Sequence, residues 1–277
     1  MGVIRCSKAS EKNVVLCTKT DSPLYADGIH WPEYVKKVTE LKENPFVVKV
    51  EGICVISANL YLVQEYIPMA TLDRILSNQL FNKEFLCFEH FSYALEVIHG
   101  IEFIHSFGFL HPGLSTKKVI LSPDRQCKLY DFVLKEDAPS KVGVLKTREI
   151  WTLNDLPPES LLRNEYIEKS DVWLLAVLSW SLFRYGNQPF APFAPFDQKK
   201  STSMDIYHHF PKKPTRFPSS LFTIFEDAWR EDCFARLSVK EMRDMLLSET
   251  MCFLKDSWKD EGNNTNAQDQ YMPVKGV

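Results

Sequence analysis

The sequence predicts an α+β fold in two unequal lobes. A small, strand-rich lobe spans residues 1–67, a larger and mainly helical lobe spans 68–256, and a polar tail at 257–277 is expected to be disordered. Two observations predict this. Short β-branched runs punctuate the first third of the chain, with one amphipathic stretch among them. From Thr71 onward the apolar residues recur at helical spacing, and residues 171–183 are apolar all round, the mark of a buried helix.

In the small lobe, Val14-Val15-Leu16-Cys17, Val47-Val48-Lys49-Val50 and Leu60-Tyr61-Leu62-Val63 read as strands. Pro32 suits a first helical turn, and Val35, Val38 and Leu41 repeat behind it, so residues 32–43 read as a helix. Leu72, Ile75 and Leu76 make a short helix, and residues 85–107 a long one that Gly108 closes. Residues 118–121 and 127–130 read as strands around the turn Ser122-Pro123-Asp124. Residues 136–158 are polar and read as a long irregular loop of functional type. Ser170 is placed as the N-cap of the buried helix. Further helices are expected over 204–209, 221–229 and 239–258.

Composition narrows the function. Of 277 residues, 45% are hydrophobic and 25% charged, ordinary globular usage that excludes a disordered or fibrous chain. The net charge of -3 lacks the basic surplus of a nucleic-acid binder. No apolar run approaches the ~20 residues of a spanning helix, so no transmembrane segment is expected, and the N-terminus has no signal-peptide core. The 7 cysteines form no CxxC and no zinc spacing with histidine, and read as reduced thiols in a cytoplasmic setting. The adjacent His208 and His209 point to different helix faces and make no metal site. A boundary between lobes near residues 66–71 makes a cleft, where ligands bind.

Ordered landmarks then point to one family. His111-Pro112-Gly113-Leu114-Ser115-Thr116-Lys117-Lys118 sits where a catalytic HRDLxxxN loop belongs, Asp131-Phe132-Val133 where DFG belongs, and Pro157-Pro158-Glu159 matches APE. Leu60 to Tyr66 resembles the strand entering a kinase hinge. Ser170-Asp171-Val172-Trp173 and Trp229 with Arg236 resemble large-lobe motifs of tyrosine kinases. The chain therefore resembles a protein kinase domain of the tyrosine-kinase type over nearly its whole length. Val63-Gln64-Glu65-Tyr66 also resembles a short run in Janus-kinase pseudokinase domains, which assigns no membership.

The resemblance implies a stripped chemistry. Kinase catalysis rests on positioning and charge neutralisation. The catalytic Asp position holds Gly113, and the metal-binding Asn position holds Lys118, a cation that repels Mg²⁺. Asp131 alone remains as a metal ligand. Val133 replaces a glycine that tolerates positive φ. Gly2 and Ile4 match the end of the glycine loop, so the small lobe is expected to start inside it and lack its first strand. The phosphate-pairing lysine position falls on Cys17, with Lys19 on the same strand face, and its helix partner on Glu33 or Tyr34. Gln64, Glu65, Tyr66 and Ile120 line the nucleotide side.

Structural features are kept. Asp171 matches the buried anchor of the catalytic loop, and Glu159 with Arg236 the ion pair that locks the activation segment. Leu60, His111, Phe132 and Val38 match the stacked hydrophobic column. Residues 131–159 contain no tyrosine, and Trp151 stands too far from Glu159 for the family's peptide platform. Tyr271-Met272-Pro273-Val274 resembles a phosphotyrosine docking sequence. The expectation is a catalytically inactive signalling module, an allosteric partner or scaffold for other signalling proteins such as an active kinase or receptor. It requires no cofactor, although ATP binding stays open. The alternatives are a nucleotide-binding switch and a weak atypical kinase using Asp131.

Overall fold

A computed structural model of the chain describes residues 2–6, 12–17, 31–57, 59–68, 70–78, 88–148, 155–184, 186–190, 210–214 and 217–263. Lys19, Trp151, the helix expected over 204–209 and the Tyr271 sequence lie outside them.

The small lobe is an antiparallel sheet in the order β1-β2-β4-β3, formed by β1 (Gly2–Cys6), β2 (Lys12–Cys17), β3 (Val50–Ile56) and β4 (Asn59–Glu65). Helix α1 (Trp31–Thr39) buries Trp31, Tyr34, Val35 and Val38, a stripe at helical spacing. The Trp31 indole N–H donates to the Leu60 carbonyl at 3.1 Å and pins the helix to β4. The helix stops at Thr39, short of the Glu43 expected. Nor is Val47 to Val50 a strand: β3 begins only at Val50, because the preceding residues are used to join the lobes. The Val48 N–H donates to the Leu129 carbonyl, and the Leu129 N–H to the Phe46 carbonyl, each at 2.9 Å.

The large lobe begins with α2 (Leu72–Asn78) and α3 (Phe88–Ser106), followed by β5 (Phe109–Leu110), β6 (Val119–Leu121), β7 (Cys127–Leu129) and β8 (Val133–Leu134). β5 pairs with β8 and β6 with β7. Then come α4 (Ala138–Arg148), α5 (Pro158–Arg163), α6 (Glu168–Phe183), α7 (Ser219–Ala228) and α8 (Val239–Asn263). The core sits where α3 packs against both α6 and α8. Gly108, at φ +78°, turns the chain out of α3 into β5 as expected. Gly100 has a stricter role: a Cβ there would lie 2.7 Å from Leu129 Cδ1 and 3.0 Å from the Phe46 carbonyl oxygen. The long helix thus carries glycine where it meets the junction of the lobes.

Three further expectations are corrected. Residues 136–158 are no continuous loop, because 138–148 form α4, whose Ala138, Lys141, Val142 and Leu145 bury one face at helical spacing. Ser170 is not an N-cap. Ile167 caps α6, and Ser170 lies one turn inside, its hydroxyl accepting from the Ile167 N–H and donating to Glu159. The last helix continues to Asn263, past the start expected for the tail.

Candidate functional site

The cleft floor is built on Asp171, which is fully buried in the first turn of α6. Its carboxylate accepts from the His111 backbone N–H at 3.1 and 3.2 Å and from His105 Nε2 at 2.7 Å, and it receives a short hydrogen bond from the Tyr166 hydroxyl. Burial, and then the neighbouring Asp171, push the Tyr166 phenol well above its usual range, so it stays a donor. The His111 ring packs inward with Nε2 2.9 Å from the Tyr130 carbonyl. Burial pushes its pKa down to about 4 despite the opposing pull of Asp171, which keeps the imidazole neutral. His111 is therefore an anchored core residue.

Asp131 is the focus of charge in the cleft. Its backbone is left-handed, at φ 70°. Lys118 Nζ lies 2.6 Å from Oδ2, and Lys141 Nζ reaches Oδ1 from α4 at 3.6 Å. Asp131 and Lys141 are both nearly enclosed, with side chains 8% and 2% exposed. Two ammonium groups thus stand around the carboxylate that the resemblance assigns to a metal. Mg²⁺ does not fit this arrangement: it needs oxygen ligands and a net negative cradle, and here the second ligand position carries a cation. Among the described residues no cluster of three or more His, Cys, Asp or Glu side chains could hold a metal ion.

Gly113 shows why α4 fits. A Cβ on it would meet Leu145 Cδ1 at 3.5 Å, Leu145 Cδ2 at 3.8 Å and Lys141 Cε at 4.0 Å. A side chain at this position would therefore start in ordinary contact with one face of α4. Lys146 ties the same helix to the end of α5, donating to the Leu161 carbonyl at 2.6 Å and to Asn164 Oδ1 at 2.8 Å. Val133 causes no strain, because it lies in β8 opposite Leu110 and the positive φ falls on Asp131 instead.

Among the residues that the resemblance assigns to a nucleotide, Gln64 is buried and its Oε1 accepts from the Cys17 thiol at 3.2 Å. The Glu65 carboxylate accepts from the Lys49 backbone N–H and from Lys128 Nζ, both at 2.7 Å. Tyr66 is exposed, and Ile120 is half-buried opposite Lys128. Of the two candidate partners on α1, Glu33 is exposed and Tyr34 faces inward, edge-on to Phe109 at 6.0 Å. Phe109 meets Phe132 in turn at 5.2 Å, so the packed column runs through Tyr34, Phe109 and Phe132. Val38 is fully buried, and Leu60 is half-buried against the same core.

A buried ion pair holds the start of α5. Arg236 grips Glu159 with two parallel bonds, Nη1 to Oε1 and Nη2 to Oε2, each 2.7 Å. Ser170 adds a third bond to Glu159 at 2.6 Å, and the guanidinium lies 5.0 Å from the Trp173 ring centroid. The Arg236 donors are all used, and both Glu159 oxygens accept at least one bond, which is how this buried charge is offset.

The sequence reading missed Lys141, Lys128 and Tyr130. Lys141 lay inside a stretch read as loop, although the spacing of Ala138, Val142 and Leu145 carried a helical signal. Tyr130 stands directly before Asp131, with its hydroxyl donating to the Lys117 carbonyl at 2.8 Å and its ring 5.7 Å from Lys118 Nζ. Its bulk at that position was visible in the sequence.

The family model for protein tyrosine and serine/threonine kinases matches residues 9–246. Among curated proteins, ephrin type-A receptor 5 of Gallus gallus is 23% identical over 210 residues, covering 74% of the chain and 20% of the receptor. The human receptor of the same name is also 23% identical over 210 residues, covering 74% and 19%. Inactive tyrosine-protein kinase 7 of Gallus gallus is 28% identical over 203 residues, covering 71% of the chain and 19% of that protein. The chain spans about a fifth of the length of the curated relatives it matches. No helix among the described residues is long and apolar enough to cross a membrane.

Proposed function

The chain belongs to the protein tyrosine and serine/threonine kinase family, and from that premise we propose that it is a pseudokinase, a signalling module that acts by binding rather than by phosphoryl transfer. One observation carries the reading: the Asp131 carboxylate is shared by Lys118 and Lys141, at 2.6 and 3.6 Å. In phosphoryl transfer this carboxylate holds magnesium, and a separate aspartate orients the attacking hydroxyl. Here intramolecular cations take the first role's ligand, and Gly113 leaves the second role without a side chain. A relative of this chain bears the name inactive tyrosine-protein kinase 7, which supports the same reading.

The module works as a two-state element. With α4 seated, the cleft is closed and the face of the large lobe is fixed. A partner that binds α4 or α1 biases that arrangement by its differential affinity for the two states. The partner is another signalling protein, an active kinase or a receptor, met on the cytoplasmic side of a membrane.

Thermal melting with ATP, with and without Mg²⁺ or Mn²⁺, tests the proposal, since a ligand of the native state raises its stability by mass action. No metal-dependent shift is expected at millimolar nucleotide. A shift that needs metal and vanishes in Asp131→Asn would overturn the reading and restore catalysis as the question. A shift indifferent to metal would replace the pure binding module with a nucleotide-held switch.

A further inference from the structure

Away from the cleft, the outer edge of the small-lobe sheet is unguarded. β3 ends the order β1-β2-β4-β3, so one of its sides has no neighbouring strand among the described residues. Natural edges are blunted by charged side chains or proline, and residues 52–56 carry neither. Ile53, Val55 and Ile56 are 54%, 68% and 44% exposed there. The pairing with β4 fixes which backbone groups are open. Ile56 faces Asn59 across a turn too short for any other bond pattern, so that pair exchanges both of its hydrogen bonds. Bonded and non-bonded pairs alternate along an antiparallel ladder. Cys54 is thus bonded to Tyr61, while Ile53 and Val55 turn their N–H and C=O groups away from β4. No other backbone group among the described residues bonds to them.

The occupant that fits this edge is the same strand in reverse. A second copy related by a two-fold axis at Cys54 sets Ile53 opposite Val55 of that copy, and Val55 opposite its Ile53. The open N–H and C=O of both residues are then paired on both chains. An axis at Ile53 or at Val55 would instead set the other residue against the bulge before Gly52 or the left-handed turn at Ser57. The side chains favour the same register. Ile53 and Val55 share the sheet face of Leu62 and Leu60, their partners in β4, so the apolar layer runs on across the new junction. On the other face Ile56 falls opposite Gly52 of the second copy, where a Cβ would meet nothing within 4 Å. Glu51 falls near Ser57, so no like charges are opposed. We propose that the chain self-associates through this edge, β3 pairing antiparallel with β3 of a second copy about a closed two-fold. The edge is independent of the pseudokinase reading, because it shares no residue with the cleft.

The test is sedimentation of the full chain over a concentration series, joined to a disulfide trap. A dimer of roughly micromolar affinity is expected, the weak end for a specific interface. Val55→Lys should weaken it about tenfold, because the axis places the lysine in the interface twice. Phe234→Lys, at an apolar position of the large lobe that is 81% exposed, should leave it unchanged. Across the axis the two copies of Cys54 form a non-bonded pair with Cα atoms about 4.5 Å apart, within the roughly 4.4–6.8 Å that a disulfide spans. Diamide, which takes up two electrons and the two thiol protons, should therefore link the copies, and Cys54→Ser should abolish that link. Four results would each overturn the proposal: a chain still monomeric at about a hundred micromolar, a dimer indifferent to Val55→Lys, a dimer weakened equally by Phe234→Lys, or no diamide link that depends on Cys54. If Val55→Lys does not fold, Ile53→Lys and the disulfide trap still decide the matter.

Discussion

His90 and His111 are each about 1% exposed, and burial pushes both down to about pKa 4 from an ordinary 6.5. In the unfolded chain both take up a proton near 6.5, while in the fold neither does until about 4. The stability they contribute is therefore complete above pH 6.5 and lost as the pH falls toward 4, at up to about 1.4 kcal/mol per pH unit for each. Asp155 acts with the opposite sign. Burial raises its carboxyl to about 7 from 3.8, with Lys117 pulling it back, so the fold holds a proton there that the unfolded chain releases. Urea unfolding between pH 6.5 and 5 should show stability declining as the pH falls. His90→Gln should flatten the decline and Asp155→Asn should steepen it; parallel slopes in all three proteins would refute the assignment. The sequence placed His111 in the hydrophobic column through its motif, whereas His90 and Asp155 belong to no motif and gain their character only from what the fold packs around them.

At the scale of elements, α3 and α4 show two ways in which periodicity meets tertiary structure. Along α3 the apolar spacing was plain, and the structure honours it over Phe88–Ser106. The glycine inside it is set by a neighbour: Leu129 Cδ1 and the Phe46 carbonyl stand where a side chain would begin. In an open helix, alanine would gain about 1 kcal/mol over glycine. Here Gly100→Ala should instead cost about 1–3 kcal/mol, the range for overpacking a filled core, and a rise in the urea midpoint would contradict the packing described. Helix α4 is the reverse case. Its buried stripe of Ala138, Val142 and Leu145 is interrupted by Lys141, a residue that normally marks an exposed face. The lysine is buried because Asp131 waits for it, a partner ten residues away that no local pattern reveals. The strand misread at Val47 failed for a similar reason, since its backbone donors and acceptors were committed to β7 in the other lobe.

At the scale of the molecule, the order of landmarks made the two lobes legible, while the charge state of the cleft was not. Motif positions identified Gly113 and Lys118 one at a time. That Lys118 and a cation from a distant helix meet on one carboxylate follows only from the assembled fold. The two lysines should therefore act together. The double variant Lys118→Asn and Lys141→Gln frees Asp131 and returns an oxygen ligand beside it. Millimolar Mn²⁺ should raise its melting temperature, by about 1–3 °C for a site filled at a few times its Kd. The parent chain and either single variant should show no such rise, and an equal response in all four proteins would show that the lysines do not govern metal access.

The clamp on Asp131 also makes the way back to a metal-binding cleft a rugged one. An aspartate returned at position 113 would lie against Leu145 and the Lys141 side chain, and an asparagine returned at 118 still leaves the ammonium of Lys141 in place. On the proposed reading neither step alone frees Asp131 from Lys141, so the steps are favourable only in combination. On the pseudokinase reading proposed above, the positions the family uses as ligands are free to drift while α4 stays under constraint. Natural variation in this protein should accordingly be scarcer at Lys141 and Leu145 than at the glycine they cover.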